Sequence, residues 1–172
     1  MTGKEKKNMP KWAMYALAYK MIDDSLEYKC PLQAIAIEES ILTDRLSSTL
    51  NIGRANAKPK SSLGKVLREW KPENCSNRNK NAALFDSEMD ALFPLLLEWW
   101  VARCDLLHGM VKSSHGEPPE KLAAEFLAYA EKVAKTGLKL TRQVDKWTKR
   151  RVRAAEKAAT KGQATKARRA SR

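Results

Sequence analysis

Hydrophobic residues recur at intervals of three and four over five stretches of the chain, a spacing that places them along one face of an α-helix. The predicted helices cover about residues 10–28, 31–50, 62–70, 87–109 and 119–153. The first helix is expected to end before Pro31, because a residue that precedes proline disfavours the α conformation. The stretches at 51–62, 71–81 and 113–119 are rich in polar residues, glycine or proline and are expected to be connectors.

The fourth predicted helix is apolar around most of its circumference. One side carries Leu92, Leu96, Trp99 and Leu106, and another carries Phe93, Leu97, Trp100 and Leu107. A surface helix needs only one apolar stripe, so this helix is expected to be central in the fold or buried against a second copy of the chain. Pro94 is expected either to kink the helix or to lie in its first turn.

The composition agrees with a helical globular protein. Of the 172 residues, 43% are hydrophobic and 31% are charged, and glycine is sparse. No short runs of alternating β-branched residues stand between turn signals. The sequence therefore predicts an all-α fold, a bundle of four or five helices in one domain.

The net charge of +13 is concentrated at the C-terminal end. Residues 149–172 carry +9, because ten basic residues face the single acid Glu156, and the other 148 residues carry +4. This contrast predicts a helical domain over 1–148 and a basic, low-complexity tail over 149–172, a frayed helix that passes into a disordered arm. A tail this basic more often contacts polyanions than merely solubilises the chain. The expected nucleic-acid-binding residues are Lys149, Arg150, Arg151, Arg153, Lys157, Lys161, Lys166, Arg168 and Arg169.

The cysteines and the N-terminus bear on localisation. The three cysteines are widely spaced and form no CxxC pair, so neither a disulfide framework nor a zinc site is indicated. The first residues lack the apolar core of a signal peptide, and the most apolar stretch, 91–102, is too short to span a bilayer. The expectation is a cytoplasmic protein that does not associate with membranes and carries no cofactor.

Arg103 and His108 are the candidate catalytic residues. Arg103 stands in the apolar stripe of the fourth helix, where a guanidinium must be paired or face a cleft. His108 lies in the last turn, near the negative end of the helix dipole, and Gly109 is expected to close the helix in the left-handed conformation. A histidine can exchange protons and an arginine can bind phosphate, which together suffice for metal-independent cleavage of RNA. Because five residues turn a helix by about 140° beyond a full turn, the two side chains can converge only if the helix unwinds at Gly109 or a second copy supplies one of them.

This arrangement resembles the motif of HEPN-domain ribonucleases, in which an arginine and a histidine are separated by four to six residues near the end of a long helix. The second predicted helix, which reads IEESILTDRLSS over 37–48, also resembles its counterpart in bacterial HEPN proteins of the toxin and abortive-infection type. The resemblance covers about residues 10–148. Cys104 departs from it, because many HEPN proteins have asparagine directly after the arginine. Cys104 and Asp105, inside the motif, are the candidates for supporting roles there.

The resemblance implies a homodimer formed through the motif helices, with two copies of the motif in one cleft. It implies cleavage of single-stranded RNA without a metal, the ribose 2′-OH being the nucleophile, with Arg103 and His108 as the catalytic pair. Glu38 or Glu39 would be the acid that orients Arg103. A toxin or defence role would also imply a partner protein, an antitoxin, that neutralises the enzyme.

Other interpretations of the same residues stay open. His108 is equally explained as a residue that caps the helix, and Arg103 as one half of a structural ion pair. A non-catalytic protein could use the same helices and the basic tail only to bind RNA or DNA. A helical adaptor could use its wide apolar helix to bind a protein partner.

Overall fold

The computed structural model describes residues 10–50, 62–70, 86–109 and 118–170, without the side chains of 119, 158, 159 and 161–170. These residues form five helices and no strand, which confirms the all-α prediction for the described chain. The helices are α1 (Lys11–Glu27), α2 (Pro31–Leu50), α3 (Leu63–Trp70), α4 (Ser87–Gly109) and α5 (Pro119–Ala170). The predicted connectors at 51–61, 71–81 and 113–117 lie outside the described residues.

Helix α2 is the central element of the bundle. It packs against α1, α3 and α5, while α4 packs mainly on α5. Its buried residues include Ile35, Leu42 and Leu46, each 2% exposed or less. The three largest buried side chains are tryptophans from the surrounding helices: Trp70, Trp99 and Trp147. Two of them, Trp70 and Trp147, meet edge to face with their ring centres 5.5 Å apart, so α3 and α5 are joined by an aromatic contact.

Asp86 fixes the start of α4 against α5. Its carboxylate accepts a hydrogen bond from the backbone N–H of Met89 at 3.0 Å, as an N-cap residue does. The same carboxylate accepts the indole N–H of Trp147 at 3.1 Å. Partial burial acts to raise the pKa of Asp86, but these hydrogen bonds and nearby Arg151 hold it below its ordinary value. Pro94 lies well inside α4 and is exposed, so the alternative that it belongs to the first turn is wrong.

The turn between α1 and α2 contains a residue in the left-handed conformation. Lys29 has φ 55°, and the backbone N–H groups of Lys29 and Cys30 donate back to Leu26 and Ser25 at the end of α1. This is the double hydrogen-bond pattern of a Schellman motif, at a position where glycine is the usual residue. The chain can therefore reverse within three residues and enter α2 at Pro31.

Helix α5 is continuous through the expected boundary at 148–149 and remains helical to Ala170. The expectation that the chain passes from a frayed helix into an irregular arm is therefore wrong over residues 154–170. Alanine, lysine and arginine all favour helix, so the loss of the apolar stripe does not by itself end the element. None of the helices in the described residues has the length and apolar character needed to cross a membrane.

Candidate active site on helix α4

Arg103 lies on the side of α4 that faces the rest of the bundle. Its guanidinium forms an ion pair with the carboxylate of Glu39 on α2, and the two side chains are 25% and 17% exposed. Of the two alternatives expected for an arginine in this stripe, pairing or a cleft, the structure shows pairing, and Glu39 is the partner. The Arg103 side chain is still a quarter exposed, although its Nε is buried without a hydrogen-bond partner, so part of the side chain is accessible from solvent.

Glu38 is not the partner of Arg103. Its side chain is fully buried, and neither carboxylate oxygen has a hydrogen-bond partner. It lies instead between α2, α4 and α5, next to Gly137 and Trp99. Burial raises the pKa of Glu38 to about 8, so the carboxyl group is predominantly protonated at neutral pH. Consecutive residues of a helix point about 100° apart, which explains why only one of the two glutamates reaches Arg103.

His108 lies on the opposite side of α4 and is exposed. The helix is unbroken from Ser87 to Gly109, so it does not unwind before His108. Gly109 is itself the last helical residue, and its φ is not in the left-handed range, so the expected left-handed closure of the helix is wrong. Within one copy, Arg103 and His108 are therefore separated by about 140° around the axis and do not converge.

The exposed face of α4 contains His108 and a mixture of apolar and acidic residues. Its members are Ser87, Asp90, Ala91, Pro94, Glu98, Val101, Asp105 and His108. Val101 is 49% exposed, and Leu95 at the edge of this face is 46% exposed. No described element covers these side chains. Asp105 lies here, one helical turn before His108, whereas Cys104 is half-buried at the flank and is a free cysteine.

The first basic residues of the predicted tail are paired within the molecule. Lys149 contacts Asp145 at 2.7 Å, Arg150 contacts Glu88 at 2.5 Å and Arg151 contacts Asp86 at 3.7 Å. Arg153 and Lys157 are exposed and form no ion pair with any described residue. The side chains of Lys161, Lys166, Arg168 and Arg169 lie outside the described part of the structure.

The junction of α2, α4 and α5 was not predicted from the sequence. The indole N–H of Trp99 donates to the backbone oxygen of Val133 at 3.0 Å, beside Gly137. A Cβ atom on Gly137 would overlap Oε2 of Glu38 and come within 2.6 Å of Nε1 of Trp99. The glycine therefore permits the close approach of α5. A glycine in the middle of a long helical pattern was the only signal of this contact in the sequence.

Arg45 joins three helices, through an ion pair between α2 and α5 and a contact with an aromatic ring of α1. The guanidinium of Arg45 contacts Asp145 at 2.5 Å and lies over the ring of Tyr15 at 3.7 Å. The hydroxyl of Tyr15 donates to Asp44, and burial together with this bond raises the pKa of the phenol well above its ordinary value. With an ion pair on one side and a ring on the other, Arg45 is a structural connection between the helices.

The fold and the site define the class of protein only as an all-α bundle with a partly exposed arginine and an exposed histidine on one helix. Comparison with models of known families, with characterised proteins and with solved structures found no match to this chain. Among the described residues, no group of three or more His, Cys, Asp or Glu side chains is placed to hold a metal ion.

Proposed function

We propose that this protein is a homodimeric, metal-independent endoribonuclease that cleaves single-stranded RNA. The observation that carries the proposal is the pair formed by Arg103 and Glu39, which holds a guanidinium on α4 while the arginine side chain stays a quarter exposed. A buried ion pair adds little to the stability of a protein, because the cost of removing the two charges from water offsets most of their attraction. Stability alone therefore does not explain why an arginine stands at this position. An exposed histidine at the end of the same helix supplies the proton-transfer group.

In the proposed reaction, the ribose 2′-oxygen attacks the adjacent phosphorus and gives up its proton. A bond forms between phosphorus and the 2′-oxygen, and the bond from phosphorus to the 5′-oxygen of the next nucleotide breaks. His108 acts as the general base that takes the 2′ proton or as the general acid that protonates the leaving oxygen. Arg103 stabilises the additional negative charge on the phosphorane, to which its planar guanidinium can donate two hydrogen bonds.

The site requires two copies of the chain. Arg103 and His108 diverge within one copy, and the helix that carries them is unbroken from Ser87 to Gly109. The exposed face of α4, which carries Pro94, Val101 and His108 along its length, provides a surface along which two copies could meet. A dimer formed there would bring two His108 side chains to one interface. The composite site further requires that His108 of one copy and Arg103 of the other contact the same phosphate at the edge of this interface. The resemblance to HEPN toxins extends the proposal to a toxin or defence role, with a neutralising partner protein.

The test is cleavage of a labelled single-stranded RNA in EDTA. Wild type is compared with Arg103→Ala and His108→Ala, and His115→Ala serves as the matched control because it removes the only other histidine. We expect wild type and His115→Ala to cleave, and the two α4 variants to lose activity by about 100-fold or more. Circular dichroism and sedimentation establish that all four proteins are folded and share one oligomeric state.

The concentration of protein provides a second reading in the same assay. If the site is composite, the rate per chain falls when the protein is diluted below the dissociation constant of the dimer. A rate per chain that stays constant while sedimentation shows monomers would contradict the composite site. Cleavage that survives in both α4 variants would contradict the assignment of Arg103 and His108.

A non-catalytic nucleic-acid-binding protein is the second candidate. It is favoured by one observation, that Arg103 is already neutralised by Glu39 and does not meet His108. This candidate predicts salt-dependent binding of RNA by all the variants above, with no cleavage by any of them.

A further inference from the structure

A row of basic side chains runs along the outer face of α5. At about 100° per residue, Lys132, Lys139, Lys146, Arg153 and Lys157 fall within an arc of about 60° around the helix axis. Every residue between 132 and 157 that falls in this arc is basic, since the remaining two are Lys135 and Arg150. Basic residues make up only 33 of the 172 residues of the chain, so an arc without any other residue type is a specific feature of this surface.

The five residues first named, which we call the basic ridge, are exposed and form no ion pair with any other described side chain. The first four are spaced by seven residues, or about 10 Å along the axis, and the whole ridge is about 37 Å long. The neighbouring cations, in contrast, are paired. Lys135 contacts Glu131 at 2.5 Å, and Arg142 contacts Asp23 at 3.3 Å. The neighbouring cations are therefore neutralised by acids, and the basic ridge is left as a single line of unpaired positive charges.

The surroundings of the ridge distinguish between polyanions. The apolar face of α5, which includes Ala130, Val133, Leu140, Val144 and Trp147, is buried against the other helices. An amphipathic helix binds a membrane surface by inserting its apolar face, and α5 has none to insert along this length. The arc also contains no aromatic side chain on which a base could stack. What the ridge offers is a straight series of point charges, which suits the phosphates of an extended nucleic-acid backbone.

We propose that the basic ridge of α5 is the surface that binds RNA, through its phosphate backbone and without sequence preference. The domain itself, from Lys132 onward, then carries the binding surface, and the tail after residue 149 only continues it. The proposal rests on the proposed function only in taking RNA as the ligand, and it requires no cleavage. It adds three residues to the binding surface, Lys132, Lys139 and Lys146, which lie before the basic tail.

The test measures RNA binding by fluorescence anisotropy at several salt concentrations. All proteins are full-length, carry His108→Ala and are kept in EDTA, so that the RNA stays intact. The ridge variant combines Lys132→Gln, Lys139→Gln and Lys146→Gln. The control variant combines Lys20→Gln, Lys29→Gln and Lys65→Gln, which removes the same formal charge from α1, α3 and the turn between α1 and α2, although Lys20 is paired with Asp24. Both triple variants change only surface side chains, and circular dichroism checks that both are folded.

We expect the ridge variant to reduce the magnitude of the slope of log affinity against log salt by about 2, roughly 0.7 for each single-strand phosphate that is no longer neutralised, and to bind RNA at least 10-fold more weakly at low salt. The control variant should keep the slope of the parent. Equal slopes for the two variants, or no RNA binding by the parent, would overturn the proposal. So would a ridge variant that loses binding to vesicles containing phosphatidylserine while keeping its binding to RNA.

The proposed nuclease and the proposed ridge can fail separately. If the protein with His108 intact cuts no RNA, but the ridge variant loses binding, the ridge stands and the nuclease does not. If it cuts RNA and the two triple variants bind alike, the nuclease stands and the ridge is overturned.

Discussion

The junction of α2, α4 and α5 makes a quantitative prediction about Gly137. Replacing an interior helical glycine by alanine normally stabilises a helix by about 1 kcal/mol, because the unfolded chain loses conformational freedom. Gly137→Ala should instead destabilise the protein. The new Cβ atom would overlap the carboxyl group of Glu38 and approach Nε1 of Trp99 to 2.6 Å, where ordinary contacts are near 3.5 Å.

The cost of the substitution follows from what must move. Trp99 is 2% exposed and is held by its hydrogen bond to Val133, so it cannot give way by almost 1 Å without moving α4. Overpacking of a core costs about 1–3 kcal/mol, and loss of the bond to a buried N–H costs about 1–3 kcal/mol more. Against a helix gain of about 1 kcal/mol, the net loss is about 1–5 kcal/mol.

Gly109→Ala is the matched control, because Gly109 is also helical but a Cβ atom there would meet nothing within 4 Å. This variant should be unchanged or more stable by up to about 1 kcal/mol. Urea unfolding followed by circular dichroism measures both variants against wild type. A Gly137→Ala protein as stable as wild type or more stable would refute the packing argument. Adding Glu38→Ala to Gly137→Ala should recover part of the loss, since it removes one of the two overlaps.

Three further substitutions have calculable effects on unfolding. Because the pKa of Glu38 is raised in the folded state, the protein loses stability as the pH increases from the unfolded pKa of this group to its folded pKa. The free energy of unfolding of Glu38→Gln should therefore rise by about 3 kcal/mol relative to that of wild type between pH 4.5 and pH 7, as measured by urea titrations. Parallel pH profiles of the two proteins would contradict the burial argument. Lys29→Gly should raise the free energy of unfolding by about 0.5–1 kcal/mol by removing the left-handed strain, whereas Lys29→Ala should give no increase. Asp86→Ala should lower the free energy of unfolding by about 2–3 kcal/mol, because α4 loses its N-cap and the indole N–H of Trp147 loses its acceptor. Asp86→Asn keeps the capping oxygen and should lower it less. Equal losses of stability in thermal unfolding would show that the cap contributes little.

The hydrophobic pattern predicted the helices well because helical periodicity is a local property. Helix α2 has the predicted bounds, 31–50, and α4 begins and ends within a residue of the prediction. The predicted C-terminal extent of α5 was wrong, because a helix can continue after its apolar stripe has ended. Propensity alone favours helix in a sequence rich in alanine, lysine and arginine.

The pairing of Arg103 could be predicted from sequence, but its partner could not. A charged residue in an apolar stripe requires an opposite charge, and α2 offers two adjacent glutamates. Which of them faces α4 depends on the rotation of α2 about its axis, which is set by packing against three other helices. The same rotation buries Glu38 beside Gly137, a consequence of tertiary packing that no local pattern contains.

The distribution of formal charge along the sequence differs from the distribution of charge that is left unpaired in the folded chain. The count assigns +9 to the tail and treats the rest as mildly basic. In the structure, Lys149, Arg150 and Arg151 are paired with Asp145 of α5, Glu88 of α4 and the N-cap residue Asp86, so the start of the tail contributes little free charge. A polyanion is attracted mainly by the basic side chains that are not already paired with acids of the same molecule. On the described surface of α5, these side chains form the basic ridge, which begins at Lys132. Since α5 is one continuous helix, the border between domain and tail has no counterpart in the electrostatics of this face.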